Sequence, residues 1–196
     1  MASAAREYDM STRSVAAGRT RTRLIHAARA RFTGARIDDV TLADLAGDAG
    51  VSVQTLLNHF GSKEGLLLAA TESIGAEVAK LRGEVEPGDV GGAVDSLMRH
   101  YEVLGDANWR FVAEVDGEAA FAPLLDDARA RHRAWLESVF GPRLPEASDE
   151  REDAIAALYA VTDVGTWKLL RRDLALSADE TRAVLRRLIA GQLEEE

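Results

Sequence analysis

The stretch Val40–Lys63, VTLADLAGDAGVSVQTLLNHFGSK, constrains this chain more than any other. It holds two short helix signals that open alike. In the first, Thr41 stands at an N-cap position with Asp44 three residues on, the spacing of a capping box, and Val40 and Leu45 are placed to clasp as a hydrophobic staple. In the second, Ser52 is the cap and Val51 and Leu56 take the staple positions. Between them Ala49-Gly50 is small enough for two helices to cross closely, and glycine accepts a positive φ there. The pattern is that of a helix-turn-helix, whose second helix can lie in a DNA major groove.

The second helix has a surface suited to that task. Leu56 and Phe60 can face inward, which leaves Val53, Gln54, Thr55, Asn58 and His59 largely outside. Gln54 and Asn58 offer amides that can bond bidentately to adenine, and Thr55 offers a methyl to thymine. Lys63 comes next, beside Ser62 at the start of the following helix, where a phosphate would meet an ammonium and free backbone N–H groups. A helical hairpin with a merely solvated polar face is the plainer alternative, and the twin staples, the glycine turn and this polar set argue against it.

Residues Arg19 to about Leu68 resemble the DNA-binding domain of TetR-family transcriptional repressors. The matching parts are an Arg-rich lead-in, the helix LIHAARARF, and TLADLAGDAGVSVQTLLNHFGSKEGLL with its AGVS, HF and SK signatures. Leu57 stands where that family usually has a tyrosine that touches a phosphate, and Ala35 and Ile37 stand where a glycine and an aromatic are common. The resemblance implies an all-α protein with an N-terminal three-helix DNA-binding domain and a C-terminal helical domain for ligand binding and dimerisation. It implies a palindromic double-stranded DNA operator, a small-molecule effector, and repression relieved by that effector. Base contacts fall to Val53, Gln54, Thr55 and Asn58, and backbone contacts to Arg19, Arg21, Thr41, Ser52, Leu57, His59 and Lys63.

Charge fits once it is divided along the chain. The net charge is −9, yet residues 1–65 hold nine Lys/Arg against seven Asp/Glu, and the remainder holds 15 against 26. Arginines 19, 21 and 23 sit together without an acid at the start of the first helix, where they favour phosphate. The chain is expected to comprise a flexible arm over 1–18, in which Arg6 and Arg13 are solvated, a helix-turn-helix domain over 19–65, and a second domain over 66–196. The expected core of the first domain is Leu24, Ala28, Phe32, Leu42, Leu45, Val51, Leu56 and Phe60.

About nine helices are expected in all. Helix 4, from Lys63 to about Arg82, is too long for the small domain alone and joins it to the second domain. Beyond the glycine-rich loop 83–92, helices are expected over about 91–105, 107–115, 119–140, from Ser148 to about Arg172, and from the capping box Ser177–Glu180 to about Leu193. Glu194, Glu195 and Glu196 read as a solvated end.

The helix that begins at Ser148 carries apolar residues on two faces, so it is either central in its own domain or pressed against a second copy. Because a helix-turn-helix reader usually binds a palindrome as a pair, a homodimer is expected, with Ala156, Ala160, Val164, Trp167, Leu185, Leu188 and Ile189 as interface candidates. Trp109, Phe111, Phe121, Trp135 and Tyr159, with His100, Tyr101, His132 and Thr162 as polar partners, are candidates for an effector pocket, although each aromatic can equally fill a helical core.

Other classes fare poorly. The four histidines, 26, 59, 100 and 132, have no metal-ligand spacing, and with no cysteine neither a thiolate metal site nor a disulfide is available. No cofactor, metal or catalytic residue is expected; no phosphate-binding glycine loop or nucleophile elbow occurs. No signal peptide or membrane span is read, so a cytoplasmic location is expected. Two alternatives stay open: an architectural DNA binder that answers to no effector, and an all-helical enzyme.

Overall fold

The computed structural model describes residues 2–119 and 121–193, with side chains from Val15 onward. Every regular element among them is helical, as expected of an all-α chain. The chain divides into two compact units, Met1–Ile74 and Gly75–Glu196. The boundary falls inside helix α4 (Lys63–Arg82) rather than at the expected residue 65, because the first half of α4 buries Leu66, Leu67, Ala69 and Ala70 and so belongs to the first unit.

The first unit contains α1 (Ala2–Gly34), α2 (Leu42–Asp48), α3 (Val53–Phe60) and the start of α4. Residues 2–18 of the arm expected over 1–18 fall within α1, and the side chains of residues 15–18 are exposed. Ala16-Ala17 favours a helix there, and no proline interrupts it, so Gly18 is carried within the helix. Arg6 and Arg13 have side chains outside the described residues, as do Glu194, Glu195 and Glu196 entirely. Leu24, Ala28, Phe32, Val40, Leu45 and Leu56 are buried and form the small core. Leu42, Val51 and Phe60, expected in that core, are not fully buried.

Both helix starts form as the sequence indicates. Thr41 closes a capping box with Asp44, and Ser52 Oγ accepts from Thr55 N at 3.1 Å. Gly50 adopts φ +63° between the two helices, a conformation costly for any residue with a Cβ. Gly65 has a different role: a Cβ there would collide with the Phe60 carbonyl oxygen, so only glycine lets α4 start so close to the end of α3.

The second unit holds α5 (Val90–Val115), α6 (Ala122–Phe140), a 3₁₀ turn at Gly141–Arg143, α7 (Ser148–Thr162), α8 (Val164–Lys168), a π turn at Leu169–Asp173, and α9 (Ala178–Ala190). Helix α5 packs against α8 and α9, and α7 packs against α6 and α9. Their shared core includes Leu97, Met98, Leu136, Phe140, Ile155, Leu158, Trp167, Leu185 and Ile189.

Two elements differ from expectation. The helices expected at 91–105 and 107–115 are one, α5, which runs unbroken through Gly105. This glycine is buried against the Trp167 ring, and a Cβ there would overlap the indole, so it serves close packing of α5 on α8. The single helix expected from Ser148 to Arg172 is two, because Asp163 is extended (ψ 155°) and its carboxylate caps α8 through Gly165 N at 2.8 Å.

Candidate functional site

Helix α3 presents the polar surface that its sequence indicates. Gln54 and Asn58 are exposed and four residues apart, and Gln54 Nε2 donates to Asn58 Oδ1 at 3.0 Å, which fixes the two amides relative to each other. Ser52 Oγ and Thr55 Oγ1 lie 2.9 Å apart at the start of the same helix. Val53, Thr55, Leu57 and His59 are half-buried.

Basic groups of α1 flank this face. Arg19, Arg21 and Arg23 are exposed; the Arg21 guanidinium lies 5.1 Å from the Phe60 ring centroid at the end of α3. Arg23 reaches toward the turn at Gly50, where its Nη1 would stand 3.8 Å from a Cβ. Arg31 clamps α2, donating to both carboxylate oxygens of Asp48 at 2.5 and 3.0 Å, and this pairing holds the Asp48 carboxyl below its usual range. Thr41 is engaged in its capping box, where its hydroxyl donates to Asp44 Oδ2 at 2.6 Å.

Lys63 is placed differently from the sequence expectation. Its ammonium donates to the backbone carbonyls of Ile37 at 2.7 Å and Val40 at 3.0 Å. It therefore ties the loop after α1 to the start of α4, and its charge is partly spent inside the unit.

In the second unit six of the nine expected pocket residues come together. His132 Nε2 lies 2.9 Å from Thr162 Oγ1, its ring stacks with Trp135 at 5.8 Å between centroids, and it meets Tyr159 edge-on at 4.8 Å. Tyr101 donates from its hydroxyl to Thr162 O at 2.9 Å and neighbours His100, with ring centroids 4.5 Å apart. His100, Tyr101, His132 and Thr162 are buried; Trp135 and Tyr159 are half-buried. Trp109, Phe111 and Phe121 make their ring contacts elsewhere: Phe111 packs edge-on against Phe121, and Lys168 lies over Trp109.

Arg82, absent from the sequence-based candidates, completes this cluster. It is 9% exposed, and its guanidinium carbon lies 4.7 Å from the Trp135 centroid. In sequence it looks like a basic residue complementing the end of helix α4, and no local signal separates that role from burial. Burial depresses the Arg82 pKa, and burial together with the nearby Arg82 charge pushes His100 and His132 down to about 3, so both rings are neutral at neutral pH. The Tyr101 hydroxyl is pushed well above its ordinary value by burial.

A separate open groove of about 570 Å³ lies along α5 and α9, lined by Asp95, Arg99, Asp179, Arg182, Ala183 and Arg186. Arg182 pairs there with Asp95 at 3.2 Å and Asp179 at 2.9 Å. With its charges largely spent on one another, and none of the nine pocket candidates in its wall, this groove is the weaker place for an effector.

Four of the interface candidates lie in the interior of the second unit. Val164, Trp167, Leu185 and Ile189 are 0–5% exposed, because α5, α7, α8 and α9 bury them in this chain's own core. Ala156, Ala160 and Leu188 are exposed. Among the described residues no group of His, Asp or Glu has the arrangement of a metal site, and no helix is long and apolar enough to cross a membrane.

The first unit has the geometry of a helix-turn-helix domain, and the second is a separate helical domain. Residues 24–70 match the family described as bacterial regulatory proteins, tetR family. A TetR-family transcriptional regulator from Streptomyces coelicolor superposes with a TM-score of 0.73 at 20% identity, covering 88% of this chain and 79% of that one. A transcriptional regulator from Rhodococcus sp. Rha1 gives 0.70 at 18% identity, covering 87% and 94%. The multidrug binding protein EbrR, complexed with imidazole, gives 0.61 at 21% identity, covering 86% and 89%. The comparison with curated proteins gave no match. Residues 24–70 thus belong to the TetR family, and the chain has the all-α fold of TetR-family transcriptional regulators.

Proposed function

We propose that the protein is a ligand-responsive repressor that binds a palindromic operator as a homodimer in the cytoplasm and is released by a small-molecule effector. The observation that carries this reading is the paired Gln54–Asn58 face on α3, the second helix of the helix-turn-helix in a TetR-type domain. With Gln54 Nε2 committed to Asn58 Oδ1, Gln54 Oε1 and Asn58 Nδ2 remain as an acceptor and a donor side by side, the complement of the adenine N6–N7 edge. Val53 and Thr55 add apolar contact, and Arg19, Arg21, Arg23, Ser52 and His59 meet the backbone. The dimer uses the exposed face of α7 and α9 that carries Ala156, Ala160 and Leu188.

Release requires that the effector prefer the conformation that does not fit two adjacent half-sites, with a coupling of about 1–3 kcal/mol. Helix α4, shared by the two units, is the covalent route for that coupling. Selection of bound sequences from a random DNA pool tests the reading directly. Enrichment of a palindrome with half-sites about ten base pairs apart is expected; no enrichment by a folded, dimeric protein overturns it.

A further inference from the structure

The cluster around Arg82 carries a charge that no acid among the described residues neutralises. Arg82 comes from the end of α4, His100 and Tyr101 from α5, His132 and Trp135 from α6, and Tyr159 and Thr162 from α7, so four helices converge on one small volume. Arg82 makes no ion pair among the described residues; the groups acting on its guanidinium are the hydroxyls of Tyr101 and Tyr159 and the Trp135 face. The neighbouring carboxylate, Asp163, is occupied in capping α8. Four buried nitrogens here, Arg82 Nε, both of His100 and Nδ1 of His132, have no hydrogen-bond partner among the described residues.

A buried guanidinium without a counter-ion is costly, and so is a buried N–H without an acceptor. Neutral His100 must carry its proton on one of two unpartnered nitrogens, so the site holds at least one imidazole donor as well as the guanidinium fork. Both require an acceptor, and the fork requires a negative one. The apolar surroundings, Trp135 and Tyr159 at the half-buried edge, would cover a hydrocarbon or aromatic body.

We infer that this cluster is the effector site and that it takes an organic carboxylate, held by Arg82 with His100 as a further donor and its apolar body against Trp135 and Tyr159. This rests on the reading of the protein as effector-responsive and adds the chemical class of the effector. A carboxylate suits the fork, which can donate two parallel N–H bonds to its two oxygens. Neutral His100 adds a donor without adding a second cation that would need its own partner, while His132 spends its one N–H on Thr162 Oγ1.

The test uses the full-length protein and two readouts: binding by calorimetry and thermal shift, and release of a labelled DNA fragment enriched from the random pool. The probes are benzoate, phenylacetate and hexanoate against their primary amides, at constant ionic strength. Expected is a concentration-dependent rise in Tm with at least one carboxylate, a tenfold or greater preference over its amide, and loss of that preference in Arg82→Met. If Arg82→Met does not fold by circular dichroism, Arg82→Lys keeps the charge without the fork and is expected to weaken the carboxylate several-fold while leaving the amide unchanged. Equal binding of acid and amide overturns the inference, as does a folded Arg82 variant with undiminished preference. If none of the carboxylates binds while neutral or cationic compounds release the DNA, the carboxylate assignment fails and the effector reading stands. If carboxylates bind through Arg82 but the DNA stays bound, the site is upheld and the effector reading fails.

Discussion

Single side chains separate reading of bases from holding of shape. Asn58→Ala removes one of the two amides fixed by the 3.0 Å Gln54–Asn58 bond, and base preference at the contacted position is expected to relax by ~1–3 kcal/mol in competition binding with altered operators. Lys63 invites opposite assignments from sequence and from structure. Beside a helix N-terminus it reads as a phosphate contact, yet its ammonium bonds the carbonyls of Ile37 and Val40. Lys63→Ala is therefore expected to destabilise the first unit by about 1–3 kcal/mol in chemical denaturation while leaving the salt dependence of DNA binding nearly unchanged. Arg19→Ala should instead lower the salt slope by about 0.9 with little loss of stability. The sequence could reveal that Lys63 stands at the head of α4 but not where the loop carbonyls of 37 and 40 would point, since that depends on how the irregular segment 35–40 turns back.

Among elements, local rules were legible and long-range ones were not. Caps and staples act within a few residues, so α2, α3 and α9 could be placed from Thr41, Ser52 and Ser177, and each cap forms. Gly105 shows the limit. In sequence it looks like a helix end, and only Trp167, far along the chain, explains why a glycine stays inside α5. Gly105→Ala is expected to cost about 1–3 kcal/mol by forcing the indole aside, measured as a shift in denaturation midpoint without loss of helix content. The split between α7 and α8 was hidden for a similar reason: Asp163 looks like an exposed acid until its carboxylate is seen capping Gly165. Burial on the α7–α9 side was equally out of reach, because a helix with two apolar faces does not say whether its second cover is the same chain or another; for Val164 and Trp167 it is the same chain.

For the molecule as a whole, buried ionisable groups set the response to pH. His100 and His132, with pKa values of about 3 when folded, are neutral there, whereas in the unfolded chain each titrates near 6.5. Below about pH 6.5 the unfolded state binds more protons than the folded one, so stability is full above that pH and falls as pH drops toward 3. Urea midpoints measured from about pH 7.5 down to about pH 4.5 should decline through this window, and His100→Phe should flatten the decline. The chain's three tryptophans, Trp109, Trp135 and Trp167, all lie in the unit Gly75–Glu196, and Met1–Ile74 has none. Indole emission therefore reports on one unit while backbone ellipticity reports on both. The wild-type protein thus carries its own differential spectroscopic label, and any unfolding in which ellipticity is lost before fluorescence changes can be assigned to the unit Met1–Ile74 without dye or mutation.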